Sequence, residues 1–162
     1  MISSFLKALC SNDLKNCAVV IPFEDVKYPE DGDMTDKKLW TQMDQVFENK
    51  KFTDAERVAH LAYLFIDGYA HENLIYMDFD EYGKPLGVIC GTGQEKVILV
   101  SCYTSPKYAK EKTCHKARIT ELLQGVAKSP SAKGFAFNQN TESPVLISID
   151  YVEAMMNEVM KA

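Results

Sequence analysis

Nothing in this chain runs apolar for the ~20 residues that a membrane-crossing helix requires, and its most apolar stretch, "KVILVSCYT" at 96–104, is less than half that length. A membrane span is therefore not expected. Positive charge is also short: 18 Lys and Arg against 23 Asp and Glu leave a net charge of −5, which repels phosphate backbones and anionic leaflets. The balance argues against nucleic acid and membranes as partners. The five cysteines contain no CxxC and form no even set, so no disulfide framework is expected, and a reducing compartment suits thiols that serve as small apolar groups. The opening "MISSFLKALCSND" has no basic segment before its apolar residues, Lys7 interrupts them, and Leu9 before Cys10 does not fit a lipoprotein site. No signal sequence is expected, and the location expected is cytoplasmic.

Length and composition point to one folded domain over 1–162. A chain of 162 residues, 46% apolar and 25% charged, buries roughly 70% of the surface its unfolded form exposes, and no low-complexity tract or repeat interrupts it. Ile2, Phe5, Leu6 and Leu9 recur at helical spacing over 2–11, and "CAVVIPF" (Cys17–Phe23) reads as a buried strand. An acidic loop with Glu24, Asp25, Glu30, Asp31, Asp33 and Asp36 follows. Leu39, Trp40, Met43, Val46 and Phe47 then predict a helix over Asp36–Glu48. Thr53 and Glu56 form a capping box for a third helix that Gly68 is placed to end.

The period then shortens to that of strands. "NLIYMDF" (Asn73–Phe79), "LGVIC" (Leu86–Cys90) and Lys96–Thr104 are separated by the turn-rich "DEYGKP" and "GTGQ", which predicts a three-strand antiparallel meander. Residues 113–128 read either as one helix or as a short "ARIT" strand feeding a helix from about Glu121, and the split reading is preferred. "GFAFN" and "PVLIS" are two later strands, and Ser148 is placed to cap a terminal helix with Asp150 in its first turn. The fold expected is α+β, with a mixed, largely antiparallel sheet packed against N-terminal, central and C-terminal helices.

No motif assembles a reaction, so no catalytic residue, cofactor or metal is expected. "GTGQ" lacks the GxxxxGK[ST] of a phosphate loop. "DFDEYG" starts like a calcium loop but has Ile89 where a bidentate Glu is required. Cys114-His115 is the only local thiol–imidazole pair, and Cys102 has no assignable His and carboxylate partner. Alternation should turn Ser101 and Cys102 to opposite faces of the sheet. The basic run from Lys107 to Arg118, with Lys110, Lys112 and Lys116 and with Tyr103 and Tyr108 beside it, is a candidate surface for an acidic protein or a small anion and a weaker one for nucleic acid. Asn138-Gln139-Asn140-Thr141, between two apolar strands, suits a turn in which Asn takes positive φ or bonds its own backbone.

The order of these elements, an "EKVILVSCYTS" strand, a basic connection, a helix and "GFAFNQNTESPVLIS" entering a last helix, resembles the N-terminal domain of the bacterial SseB (enhanced serine sensitivity) family. Thr104-Ser105 and Gly134, Phe135, Phe137 and Asn138 carry the likeness, which covers residues 73–162 better than 1–70. Gln139 stands where the family usually has proline, and the second domain of many members is missing. The resemblance implies an α+β fold and no catalytic residues. The function expected is thus a non-enzymatic cytosolic interaction or regulatory module with a protein partner of unknown identity, and homo-oligomerisation stays open. Its rivals are an enzyme with a site near Ser101–Ser105 and Asn138, and a weak nucleic-acid or anion binder through Lys107–Arg118.

Overall fold

Thr35 opens helix α1 (Asp36–Glu48), its hydroxyl accepting the Lys38 N–H at 3.2 Å, in a computed structural model that describes residues 35–90, 97–110 and 114–160. The expected helix over 2–11, the strand Cys17–Phe23, most of the acidic loop, the Gly91–Gln94 turn and Lys112 lie outside those residues. Leu39 and Met43, one turn apart, are the residues that α1 buries completely. The capping box of α2 (Asp54–Ala70) is present in both directions: Thr53 Oγ1 accepts from Glu56 N–H, and Glu56 Oε1 accepts from Thr53 N–H. Gly68 does not end this helix. It lies inside α2, where a Cβ would stand 2.6 Å from Ile119 Cδ1 and 2.8 Å from Leu39 Cδ2, so its role is close packing. The positive-φ residue beyond the helix is Glu72 (φ 56°).

The sheet contains β1 (Leu74–Asp78), β2 (Gly87–Cys90), β3 (Val97–Tyr103), β4 (Cys114–Arg118), β5 (Ala132–Phe137) and β6 (Val145–Ser148). Its order is β4-β1-β3-β5-β6, with β3 and β5 parallel and the other pairs antiparallel. The architecture is α+β with a mixed, mostly antiparallel sheet. The split reading of 113–128 matches, with boundaries moved: β4 already begins at Cys114 and α3 spans Ile119–Lys128, its first amide held by the Asn73 carbonyl at 3.0 Å. Ser148 accepts the Tyr151 N–H at 3.1 Å at the start of α4 (Ile149–Met160).

The meander differs from expectation. β1 and β2 both pair antiparallel with β3, but along the same edge and end to end: Tyr76 and Met77 face Tyr103 and Cys102, and Gly87 to Cys90 face Val100 to Val97. They form one strand line interrupted by the loop 79–86, which closes on itself through the Phe79–Pro85 bridge and the Asp80 N–H to Lys84 O bond of 2.8 Å. The turn chemistry of "DEYGKP" is real, including Gly83 at φ 77°, but it folds an excursion.

Alternation gives the sheet two unlike faces. Ile75, Met77, Val100, Cys102, Phe135, Phe137, Val145 and Ile147 join residues of α1 to α4 in the main core. At its centre Phe65 of α2 meets Phe135 and Phe137 at ring separations of 4.9 and 5.7 Å; burying each such ring contributes about 1.5–3 kcal/mol. The opposite face holds a smaller cluster, Leu99, Ala136 and Leu146 with Val88 and Val97 packed against it.

Candidate functional site

One buried cluster of polar side chains joins three strands of the sheet. Asp78, 5% exposed, accepts hydrogen bonds from Ser101 Oγ and Tyr103 OH, both at 2.7 Å on Oδ2, and from Cys114 Sγ at 3.1 Å on Oδ1. The strand registers explain the convergence, since Asp78 lies opposite Cys114 and one position beyond the Met77–Cys102 pair. Ser101 and Cys102 face opposite sides, as alternation requires. Cys102 is fully buried in the apolar core, and that burial, with the Asp78 charge adding to it, pushes its thiol well above the ordinary cysteine range. Burial and the bond to Asp78 likewise push the Tyr103 phenol up. A protonated thiol and a protonated phenol are poor nucleophiles and bases near neutral pH. Geometry thus gives this cluster a role in tying β1, β3 and β4 together.

A second buried network ends β3. Asn138, 0% exposed and at φ 56°, accepts the Thr104 N–H at 3.0 Å and donates Nδ2 to Thr104 Oγ1 at 2.9 Å, while Thr104 donates its hydroxyl to Asp44 Oδ1 at 2.6 Å. The Asn138 amide donates to Cys102 O, and its carbonyl accepts from Thr141 N–H and Oγ1. Gly134, at the other end of the same strand, passes so close to β6 that a Cβ would lie 2.2 Å from Ile147 O. Both positions are conformationally demanding; neither presents a group to solvent.

The basic run is dispersed and partly neutralised. Lys107 pairs with Glu48 of α1, which also accepts Tyr108 OH at 2.6 Å. These two bonds hold the Glu48 carboxyl below the usual glutamate range. Lys110 is exposed in the connection, and Lys116 and Arg118 are exposed on one side of β4. Tyr103, expected beside them as a stacking surface, is fully buried. His115 is exposed on β4 near Phe79, two strands from Cys102 in the row that Met77 shares with both, whereas Cys102 and Asn138 are fully enclosed. Among the described residues no three His, Cys, Asp or Glu side chains converge as a metal would require. Asp80 instead caps its own loop, accepting Tyr82 and Lys84 N–H.

A concave feature among the described residues lies elsewhere. A cavity of about 560 Å³ opens on the helix-bearing face between α3 and the 79–86 loop, within the 300–1,000 Å³ typical of ligand pockets. Met77, Ile98, Val100 and Ala132 floor it, Phe79 and Pro85 form one wall, and Glu121, Leu122, Gly125 and Val126 of α3 form the other. Ser129 and Ser131 sit at its rim, where the Ser129 hydroxyl is used by the turn, accepting Ser131 and Ala132 N–H. Beside it runs β2, which among the described residues pairs with β3 alone. The large apolar side chains exposed among the described residues, Tyr82 (81%), Leu86 (39%) and Ile89 (66%), all belong to this loop and strand.

Sequence reasoning missed this site because each contributor looks ordinary in its own segment. One signal was available: Val88 and Ile89 are both apolar in succession, where a strand with one wet face should alternate. Comparison of the chain with family models, with curated proteins and with solved structures finds no match.

Proposed function

We propose that this chain is a non-catalytic binding module whose partner docks on the edge of β2 that is unpaired among the described residues, beside the apolar cavity. The observation that carries this reading is Ile89, exposed and apolar on a β2 edge that no described strand covers, on the same sheet face as a cavity lined by its strand neighbour Gly87. Apolar patches rimmed by polar surface mark interaction sites on folded domains. The groups with reactive potential, in contrast, are engaged in structural bonds within the sheet. A cytosolic setting belongs to the same reading, supported by Cys102, a fully buried thiol that serves as a small apolar group of the core; no helix of the described residues is long and apolar enough to cross a membrane. Kinship with the SseB N-terminal domain is likewise our proposal, and the demanding positions of Gly134 and Asn138 support it, since a motif at such positions has a physical reason to persist.

The test is photo-crosslinking in cells that express the full chain, with benzoylphenylalanine at position 89 and, as control, at Glu153, which is exposed on α4. A discrete adduct from position 89 that is missing from position 153 is expected. Equal labelling at both positions, or none at 89, overturns the proposal.

A further inference from the structure

The partner's chemistry can be read from the backbone of β2. Ser101 N–H donates to Leu86 O at 3.0 Å, and in an antiparallel ladder the bonded positions alternate. Val88 therefore turns its N–H and C=O toward β3, and Gly87 and Ile89 turn theirs outward. An edge with alternate donors and acceptors is a template for another extended chain. Ile89 lies directly across from Ile98, and Gly87 from Val100, so the side chains at this edge share the face on which the cavity opens.

The cavity itself holds a second observation. Gly125 lies inside α3, where glycine costs about 1 kcal/mol relative to alanine, and no packing compels it: a Cβ built there meets nothing within 4 Å. Its place on the cavity wall keeps open a space that any side chain would enter. One turn earlier on the same helical face stands Glu121, exposed, the only charged side chain among the described lining residues and without an ion-pair partner among them.

We infer that β2 receives an extended peptide segment as an added strand, with an apolar side chain seated in the cavity and a Lys or Arg two residues away directed to Glu121. This rests on the proposed binding-module reading and specifies its partner. The i, i+2 spacing follows from strand alternation, which returns side chains to one face at every second residue. A second copy of the chain, paired edge to edge through β2, is the competing occupant, but β2 (Gly87–Cys90) carries no Lys or Arg to face Glu121.

The test selects a phage-displayed random dodecapeptide library on the full-length protein, then measures the enriched peptides against three variants. Gly125→Leu fills the cavity and improves helix propensity, Ile89→Pro removes an outward N–H while sparing the bonds to β3, and Glu121→Gln removes the charge. Enriched sequences are expected to share an apolar residue with Lys or Arg two positions away. Binding should weaken at least tenfold in Gly125→Leu and in Ile89→Pro, and several-fold in Glu121→Gln. Circular dichroism and melting of the variants show whether the fold is kept. On the unmodified protein, hydrogen exchange with bound peptide should newly protect the Gly87 and Ile89 amides and leave Val88, already bonded, unchanged.

Peptides that bind all three variants as well as the parent, or a library with no enriched family, overturn the inference. So does a dimer in sedimentation velocity that Ile89→Lys dissolves, because the edge then belongs to a second copy. A position-89 adduct in cells together with failed peptide selection removes strand addition alone; absence of both removes the binding-module reading as well.

Discussion

Replacing Asn138 separates two causes that coincide at one residue. Its side chain bonds Thr104 through both amide atoms, at 3.0 and 2.9 Å, and its backbone sits at φ 56°. Asn138→Ala deletes both bonds and leaves the fully buried Thr104 with an unpartnered N–H, at a cost of about 1–3 kcal/mol. Alanine at positive φ adds about 1–2 kcal/mol that asparagine largely escapes. The sum is about 2–5 kcal/mol, or roughly 4–20 °C in Tm at the 2–4 °C per kcal/mol usual for 150–250 residues. Asn138→Gly keeps the backbone conformation and should recover the second part, melting above the alanine variant. Glu142→Ala, an exposed change in the same turn, should stay within about 0.5 kcal/mol of the parent. Urea and thermal unfolding followed by circular dichroism and by Trp40 fluorescence give these differences. An alanine variant that melts with the parent would refute the structural role assigned to Asn138, and equal losses for alanine and glycine would refute the contribution of φ.

Three further outcomes follow from the same geometry. Gly134→Ala places a Cβ against Ile147 O and should cost at least the 1–3 kcal/mol of ordinary overpacking, read as a lowered urea midpoint; an unchanged midpoint contradicts the close approach of β5 and β6. The bonds from Lys107 and Tyr108 lower the Glu48 pKa below its ordinary 4.5, so its contribution is present above pH 4.5 and is lost as pH falls through the folded-state value. The stability gap between the parent and Glu48→Gln should accordingly narrow from pH 6 to pH 3, and a constant gap across that range counts against the pairing. Cys102, buried and with its thiol pKa raised, should resist iodoacetamide at pH 8 until urea unfolds the chain; peptide mapping that finds it alkylated in the native protein would show that the core opens there.

Helices and strands were legible where periodicity and end chemistry agree. The Thr53–Glu56 box, the Ser148 cap and the Asn138 turn each name their own conformation, and each is found. Relations between segments were harder to read. "DEYGKP" has the residues of a hairpin turn whether it joins two paired strands or closes an excursion from one strand line, because its local backbone needs are the same. Gly68 looks like a helix stop until Leu39 and Ile119, distant in sequence, are seen against it. Tyr103 beside a basic run suggests stacking, yet one position of alternation turns it onto Asp78. The cavity left least trace, since its floor and walls come from segments whose apolar residues would suit any core.

The parallel pairing of β3 with β5 also bears on how the chain matures. Ile98 registers with Ala132, a separation of 132 − 98 = 34 residues, so at roughly 5–20 residues per second the most apolar strand waits about 2–7 s on the ribosome for the neighbour that covers that edge. During that interval β3 has only its hairpin-side partners, and chaperone supply should govern soluble yield more than the stability of the finished fold does.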